Sequence, residues 1–332
     1  MKQILKYLSI LLVGVGLSIL ISAFIFWKKE LTFLSPIPKS TVVIRSIDTM
    51  KYSRDLARQE AGSSSFDLVI QKQVFDIAQT GANYIAIGTP YDQEFVPFLK
   101  RWVLAARANH LKIWFRGNLS GWEQWFNYPE IDRQTHTKMI GEFIKQNPGL
   151  FQDGDIFTPC SECENGGPGD PRKTDNVQGY RTFLIDEYNV SKEAFQSINK
   201  KVNSGYFSMN YDVARLIMDR KTTKALGGAV VIDDYAFSPT KLISDAESLS
   251  QTSGGKIIFG EIGTPIPDLN GQMTEDQQAN WINQALSGIF NRNDSVIGVN
   301  YWVNVGGSTQ LWDAEGAPQK AVEVIKNFYG LN

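Results

Sequence analysis

The chain is poor in the residues that most metal and nucleophile chemistry needs. It has 332 residues but only two histidines, His110 and His136, and two cysteines, Cys160 and Cys163. Two cysteines exclude a disulfide-dense scaffold and a four-cysteine zinc site. Two histidines make multi-histidine metal centres and a serine-histidine triad poor fits. A cationic surplus is also missing. Lys+Arg 33 against Asp+Glu 35 leaves a formal charge of −2, so nucleic acid is not an expected partner. No Gly-x-Gly-x-x-Gly phosphate loop follows any strand-like run. What the chain does have is 42% hydrophobic residues, enough for a sizeable core, and 12% aromatics that include eight tryptophans.

The apolar content is unevenly placed. Tyr7 to Trp27 carries no charge, and a bilayer crossing needs ~20 apolar residues. Lys2 and Lys6 precede the run, and Lys28 and Lys29 follow it, so flanking charge does not settle orientation. The best cleavage site for an export signal, Ile21-Ser22-Ala23, is weak. Residues 1–28 are therefore expected to be an uncleaved signal anchor or transmembrane helix, with secretion the alternative if they are cleaved. Residues 29–39, with Pro36 and Pro38, read as a tether, and residues 40–332 as a body facing outside, extracellular or periplasmic.

That body alternates short β-branched runs with amphipathic stretches. The strand candidates are Thr41–Asp48, Asn83–Gly88, Leu111–Arg116, Asp155–Pro159, Gly205–Met209, Ala229–Asp233, Lys256–Glu261 and Val296–Trp302. Helical patterns between and after them include Pro97–Asn109, Arg133–Gln146, Tyr211–Ala225, Thr274–Phe290 and Pro318–Phe328. Strand-helix alternation means parallel βαβ units, and this many in a body of this length fit a (β/α)₈ TIM barrel in the α/β class. An open doubly wound sheet is the other reading.

In such a barrel the chemistry lies at the C-terminal ends of the strands. Strand four runs out into Cys160-Ser161-Glu162-Cys163-Glu164, and strand seven ends in Gly260-Glu261-Ile262-Gly263. Strand six ends in Asp233-Asp234-Tyr235 and strand eight in Asn300-Tyr301-Trp302. Two facing carboxylates are what glycosidic bond cleavage requires, one protonated to donate and one ionised to attack. Placed close together, each raises the other's proton affinity.

These motifs resemble those of the (β/α)₈ glycoside hydrolases that include cellulases and β-mannanases. Ser161-Glu162-Cys163-Glu164 looks like their strand-four Asn-Glu-Pro motif, with Ser for Asn and Cys for Pro. Gly260-Glu261-Ile262-Gly263 is similar to their strand-seven motif. The resemblance implies Glu162 as acid/base and Glu261 as nucleophile, with Glu164 a competitor for the first role. It also implies that Tyr235 contacts the nucleophile, that Trp302 forms a sugar platform, and that configuration is retained. The family's strand-two arginine is missing, with Arg45 or Arg116 as substitutes, and its strand-six histidine is replaced by Asp233.

Aromatic rings stack on the apolar faces of sugars, so Trp114, Trp122, Trp125 and Tyr206 join Tyr235 and Trp302 as candidate contacts. Asn118, Asn210, Asn300, Asp233, Glu164 and Arg116 are the polar ones. Cys160 and Cys163 read as two buried thiols or a loop disulfide, and His110 and His136 as surface or structural residues. The expectation is a retaining glycoside hydrolase, membrane-anchored and acting outside the cell on a β-linked oligo- or polysaccharide without metal or cofactor. Two rivals are a non-catalytic glycan-binding or scaffold protein on the same barrel and a metal-dependent hydrolase built around Asp233-Asp234.

Overall fold

The computed structural model describes residues 41–330 except Asn293. The expected anchor (1–28) and tether (29–39) lie outside the described residues. Among the described residues no helix is long and apolar enough to cross a membrane.

Eight strands form one sheet: β1 Ile44–Asp48, β2 Tyr84–Ile87, β3 Lys112–Phe115, β4 Ile156–Phe157, β5 Ser208–Asn210, β6 Ala229–Asp233, β7 Lys256–Ile262 and β8 Val296–Tyr301. Their order is β4-β3-β2-β1-β8-β7-β6-β5, with every pairing parallel. The two ends of this order meet just ahead of β5. The Phe157 N–H donates to the Asn203 carbonyl at 2.8 Å, and the Asn203 N–H donates to the Asp155 carbonyl at 3.0 Å. An isolated parallel bridge pairs Ile156 with Asn203. The expected (β/α)₈ barrel is formed.

Alternation along the strands sorts side chains between two cores. Ile44, Tyr84, Ala86, Trp114, Ile156, Val231 and Ile258 fill the inside of the barrel. Ile47, Ile85, Ile87, Phe115, Ile232 and Phe259 face outward and pack against the helices. Both faces are covered, so the strands read as apolar runs rather than clean alternation.

Local signals place the helices. Ser238 caps helix Pro239–Ser253 by accepting from the Lys241 N–H, Pro239 occupies its first turn, and Gly254 closes it at φ +68°. One expected helix is split. Tyr211–Ala225 is two segments, Tyr211–Ile217 and Arg220–Ala225, because the Asp219 carboxylate accepts from the Thr222 N–H and starts a second helix. The longest stretch in this region, Val177–Ser197, was not among the expected helices, and it packs against Arg133–Gln146.

One irregularity matters for the site. The register of β7 shifts against β8 between Phe259 and Ile262, and β6 pairs Ile232 with Phe259 but Asp233 with Glu261. Strict alternation would send Glu261 outward with Phe259. The bulge turns it inward instead.

Candidate active site

Arg116 directly follows β3, two residues beyond Trp114, and so shares that residue's inward face. Its guanidinium is fully buried at the strand ends. Nη1 donates to Asp48 Oδ2 at 2.7 Å and to Glu261 Oε1 at 3.0 Å. Nη2 donates to Ser208 Oγ at 2.7 Å and lies 3.4 Å from both oxygens of Asp233. One arginine thus ties the ends of β1, β5, β6 and β7 together. Burial opposes its charge, and the carboxylates of Asp233, Glu261 and Asp48 more than offset that.

Small residues make room for this arrangement. A Cβ on Gly260 would lie 2.4 Å from Asp233 Oδ1 and 2.9 Å from Ser208 Oγ, so glycine is required there. A Cβ on Gly117 would come 2.2 Å from the Thr89 carbonyl and 2.7 Å from the Tyr91 ring.

Glu162, Asp233 and Glu261 each present a carboxylate oxygen within 4.8 Å of the others. The Tyr235 hydroxyl donates to Glu261 Oε2 at 2.6 Å, and its ring meets Trp302 edge-on with centroids 6.0 Å apart. Glu162, Tyr235 and Trp302 are half-buried, whereas Glu261 and Asp233 are buried. The protons in this cluster are held unusually tightly. Burial, then the charges of Glu261 and Glu164, push Glu162 up to about 8, against the pull of Arg116. Burial and the Asp233 charge push Glu261 up to about 7, while Arg116 and the Tyr235 hydrogen bond favour its ionised form. Asp233 rises to about 7, mainly through burial, opposed by Arg116.

The three carboxylates form the group of described residues best placed to hold a metal ion. Arg116 already stands against two of them with a buried positive charge, so the donor set is ill suited to a divalent cation.

The other sequence candidates fall elsewhere. Glu164 is buried and accepts from the Asn210 backbone N–H at 2.7 Å, from Asn210 Nδ2 at 3.0 Å and from the Tyr180 hydroxyl at 3.3 Å. Its oxygens and the Asn210 amide are therefore spent on each other rather than offered to a ligand. Asn300 is buried, and its Nδ2 donates to Asp48 Oδ2 at 3.2 Å and to the Gly260 carbonyl at 2.8 Å, which holds the end of β7 next to Glu261. Trp114 is not an open platform. It is fully buried in the barrel, donates from Nε1 to Thr158 Oγ1 at 2.9 Å, and underlies the Arg116 guanidinium at 5.7 Å. Trp122 is likewise packing, stacked on Phe183 at 5.0 Å and donating to the Cys163 carbonyl at 3.1 Å. Trp125 is half-buried under the Arg54 guanidinium at 4.8 Å. His136 is fully buried between Glu187 and Asn118.

Two contributors went unnoticed in the sequence, Asp48 and Ser208. Asp48 ends β1, where the rule that found Asp233 and Glu261 also points; Ser208 opens β5, and that rule does not reach it.

Comparison with solved structures ties this geometry to a known architecture. The chain aligns with one of two fungal β-1,4-galactanases at 13% identity and a TM-score of 0.61, covering 86% of this chain and 99% of that one. A GH5_18 from Bifidobacterium longum subsp. infantis aligns at 12% identity and a TM-score of 0.62, covering 86% of this chain and 78% of the other. Xylanase 10B from Thermotoga maritima aligns at 13% and 0.53, covering 86% and 94%. The fold is that of the (β/α)₈ glycoside hydrolases. No family model matches the sequence, and no curated protein does.

Within this barrel, Arg116 is expected to be the largest single contributor to site integrity. Arg116→Met would leave Asp48, Asp233 and Glu261 buried without their counter-charge, which typically costs about 3–5 kcal/mol. Urea unfolding of the two proteins measures the loss. A difference below about 1 kcal/mol would mean that the carboxylates find another partner or protonate freely.

Proposed function

We propose that this chain is a retaining glycoside hydrolase acting on a β-linked glycan, with Glu261 as nucleophile and Glu162 as acid/base. The observation that carries the reading is the close approach of the Glu162 and Glu261 carboxylates, within 4.8 Å, at the ends of β4 and β7. Retaining enzymes hold their carboxyls ~5–5.5 Å apart and inverting ones ~6.5–9.5 Å, because inversion needs room for a water. Tyr235 and Arg116 each occupy one oxygen of Glu261, which orients the group and favours its ionised form. Burial and the charges of Glu261 and Glu164 raise the proton affinity of Glu162, as an acid requires. In the reaction, Glu162 gives its proton to the leaving oxygen while Glu261 bonds the anomeric carbon. Glu162 then takes a proton from the water that releases the sugar. Trp302, half-buried beside Tyr235 with an indole N–H that has no partner among the described residues, is the proposed sugar platform. Galactan, xylan and simple β-glycosides are the first substrates to try, since the structural neighbours include a β-1,4-galactanase, a xylanase and a β-glycosidase. The test follows the anomer released first, by proton NMR, from those glycans and from aryl β-glycosides of galactose, glucose and xylose. A β-anomer released first supports the reading, and an α-anomer overturns retention.

A non-catalytic glycan-binding protein is the second reading, and Ser161 favours it. Its hydroxyl donates to the Arg116 carbonyl at 3.1 Å and so serves the loop rather than a substrate hydroxyl. Oligosaccharide binding with no release of reducing ends would decide for it.

The body is proposed to lie outside the cell, held by residues 1–28. The uncharged Tyr7–Trp27 run supports this. So does the Cys160–Cys163 disulfide, since such bonds persist mainly in oxidising compartments. An inactive alkaline phosphatase fused after the body, a reporter that folds only outside the cytoplasm, would count against an extracellular or periplasmic location.

A further inference from the structure

The disulfide does more than mark a compartment, because of what it encloses. Cys160 and Cys163 bracket Ser161 and Glu162, with Cα atoms 5.4 Å apart. Glu162 itself sits at φ +44°, in the left-handed region that side chains with a Cβ avoid. A residue in an unfavourable backbone conformation stays there only when its surroundings over-determine it.

Three kinds of restraint meet at this loop. Hydrogen bonds hold its backbone: the Glu162 N–H donates to the Ser208 carbonyl at 2.8 Å, and the Asn165 N–H donates to the Glu162 carbonyl at 2.8 Å. Both half-cystines are buried and docked against the protein. Asn118 Nδ2 lies 3.4 Å from Cys160 Sγ, and Trp122 Nε1 donates to the Cys163 carbonyl at 3.1 Å. Asn118 is fixed in turn by His136 at 2.8 Å, and His136 by Glu187 at 2.9 Å. The covalent bond closes the turn around the one residue in it whose side chain joins the carboxylate cluster.

We propose that the Cys160–Cys163 disulfide is a positioning device for Glu162, so that acid/base function depends on its oxidation. The inference rests on the proposed hydrolase reading. Reduction by an external dithiol transfers two electrons: the S–S bond breaks, two protons complete two cysteine thiols, and the dithiol becomes a cyclic disulfide. The turn then loses its covalent closure, and its hydrogen bonds alone no longer hold the left-handed conformation. Glu162 relaxes toward ordinary backbone angles, and its carboxyl moves off the line to the leaving oxygen. A misplacement of about 1 Å can cost on the order of 10²-fold in rate. Glu261 is held by Arg116 and Tyr235 on other strands and keeps its place.

That difference makes the proposal testable. The full-length protein is compared in three states, oxidised, reduced with dithiothreitol and reoxidised, together with a Cys160→Ser/Cys163→Ser variant that does not depend on reductant reaching a buried bond. Each is assayed on a phenyl β-glycoside, whose leaving group needs a proton, and on the 2,4-dinitrophenyl β-glycoside, whose leaving group does not. Alkylation and mass measurement report the thiol state, and thermal melting reports folding. Loss of the disulfide is expected to lower kcat/KM about 10- to 100-fold on the phenyl glycoside and less than about 3-fold on the dinitrophenyl glycoside, with reoxidation restoring the first. Equal loss on both substrates, or loss on neither, would overturn the positioning role and leave the bond as a simple staple. An oxidised parent that cleaves neither of these glycosides nor the galactan and xylan above overturns the hydrolase reading and this inference with it, and a parent active only on those glycans is compared on aryl glycosides of their oligosaccharides. An active parent whose ratio does not move overturns this inference alone.

Discussion

Replacing Glu261 with glutamine is expected to abolish turnover of the substrate, by on the order of 10⁴-fold or more, while leaving the barrel folded. The amide has nearly the shape of the carboxylate, so it still fits the bulge of β7 and still meets Arg116 and Tyr235. What it lacks is the charge and the nucleophilic oxygen. Arg116 retains Asp48 and Asp233 as counter-charges, so the buried cation is not orphaned. Steady-state kinetics on the best substrate of the galactan, xylan and β-glycoside panel read the loss, and an unchanged melting transition shows that it is chemical. Substrate affinity is expected to persist, because the proposed platform at Trp302 is untouched. A 2-deoxy-2-fluoro glycoside should label the parent protein on Glu261 and fail to label the variant. Activity within tenfold of the parent would remove Glu261 from the mechanism.

The position of that glutamate shows where sequence reasoning reaches its limit. Most of the eight strands were legible as short apolar runs with β-branched residues, the pattern of parallel strands buried on both faces; β5 has no β-branched residue and spans Ser208–Asn210 rather than the expected Gly205–Met209. The strand-end rule then brought Glu162, Asp233, Tyr235, Glu261 and Trp302 to one rim, and the structure places these five together. It could not say which way Glu261 points. Alternation from Phe259 sends it to the outer face, and only the register shift of β7 reverses this. The same logic failed between Glu162 and Glu164. Alternation puts both on one side of an extended segment, but Glu162 lies in a tight turn at φ +44°, so the two diverge and Glu164 goes to Asn210 and Tyr180.

Parity would have served better at Trp114. It lies two residues before Arg116 and faces the same interior, one layer deeper, which makes it a floor and not a platform. The bonds from Arg116 to Asp48, Ser208, Asp233 and Glu261 span 68 to 145 positions in the chain. No local pattern encodes contacts of that range; only barrel closure creates them. Of the two arginines weighed as substitutes for the missing strand-two one, Arg116 is the one that meets Glu261, from the end of β3.

Glu162 governs the second large effect, and pH reveals it. Glu162→Ala is expected to slow cleavage of substrates with poor leaving groups by about 10²–10⁴-fold. A 2,4-dinitrophenyl glycoside, which leaves without a proton, should still form the glycosyl-enzyme. Its release then stalls for want of a base, and added azide, which needs none, should restore turnover as the glycosyl azide. The signs of the titrations follow from the roles. Glu261 must be ionised, so activity falls as pH drops through about 7; Glu162 must be protonated, so activity falls as pH rises through about 8. The two carboxyls titrate as a pair, so the limbs of the profile belong to both. The parent should therefore show a narrow bell, and the alanine variant should lose the alkaline limb while keeping the acid one. The acid limb persists because Glu261 still must shed its proton under the influence of burial and Asp233. An alkaline limb that survives in the variant would assign that titration to another buried carboxyl, and Asp233, pushed up to about 7, would be the group to test.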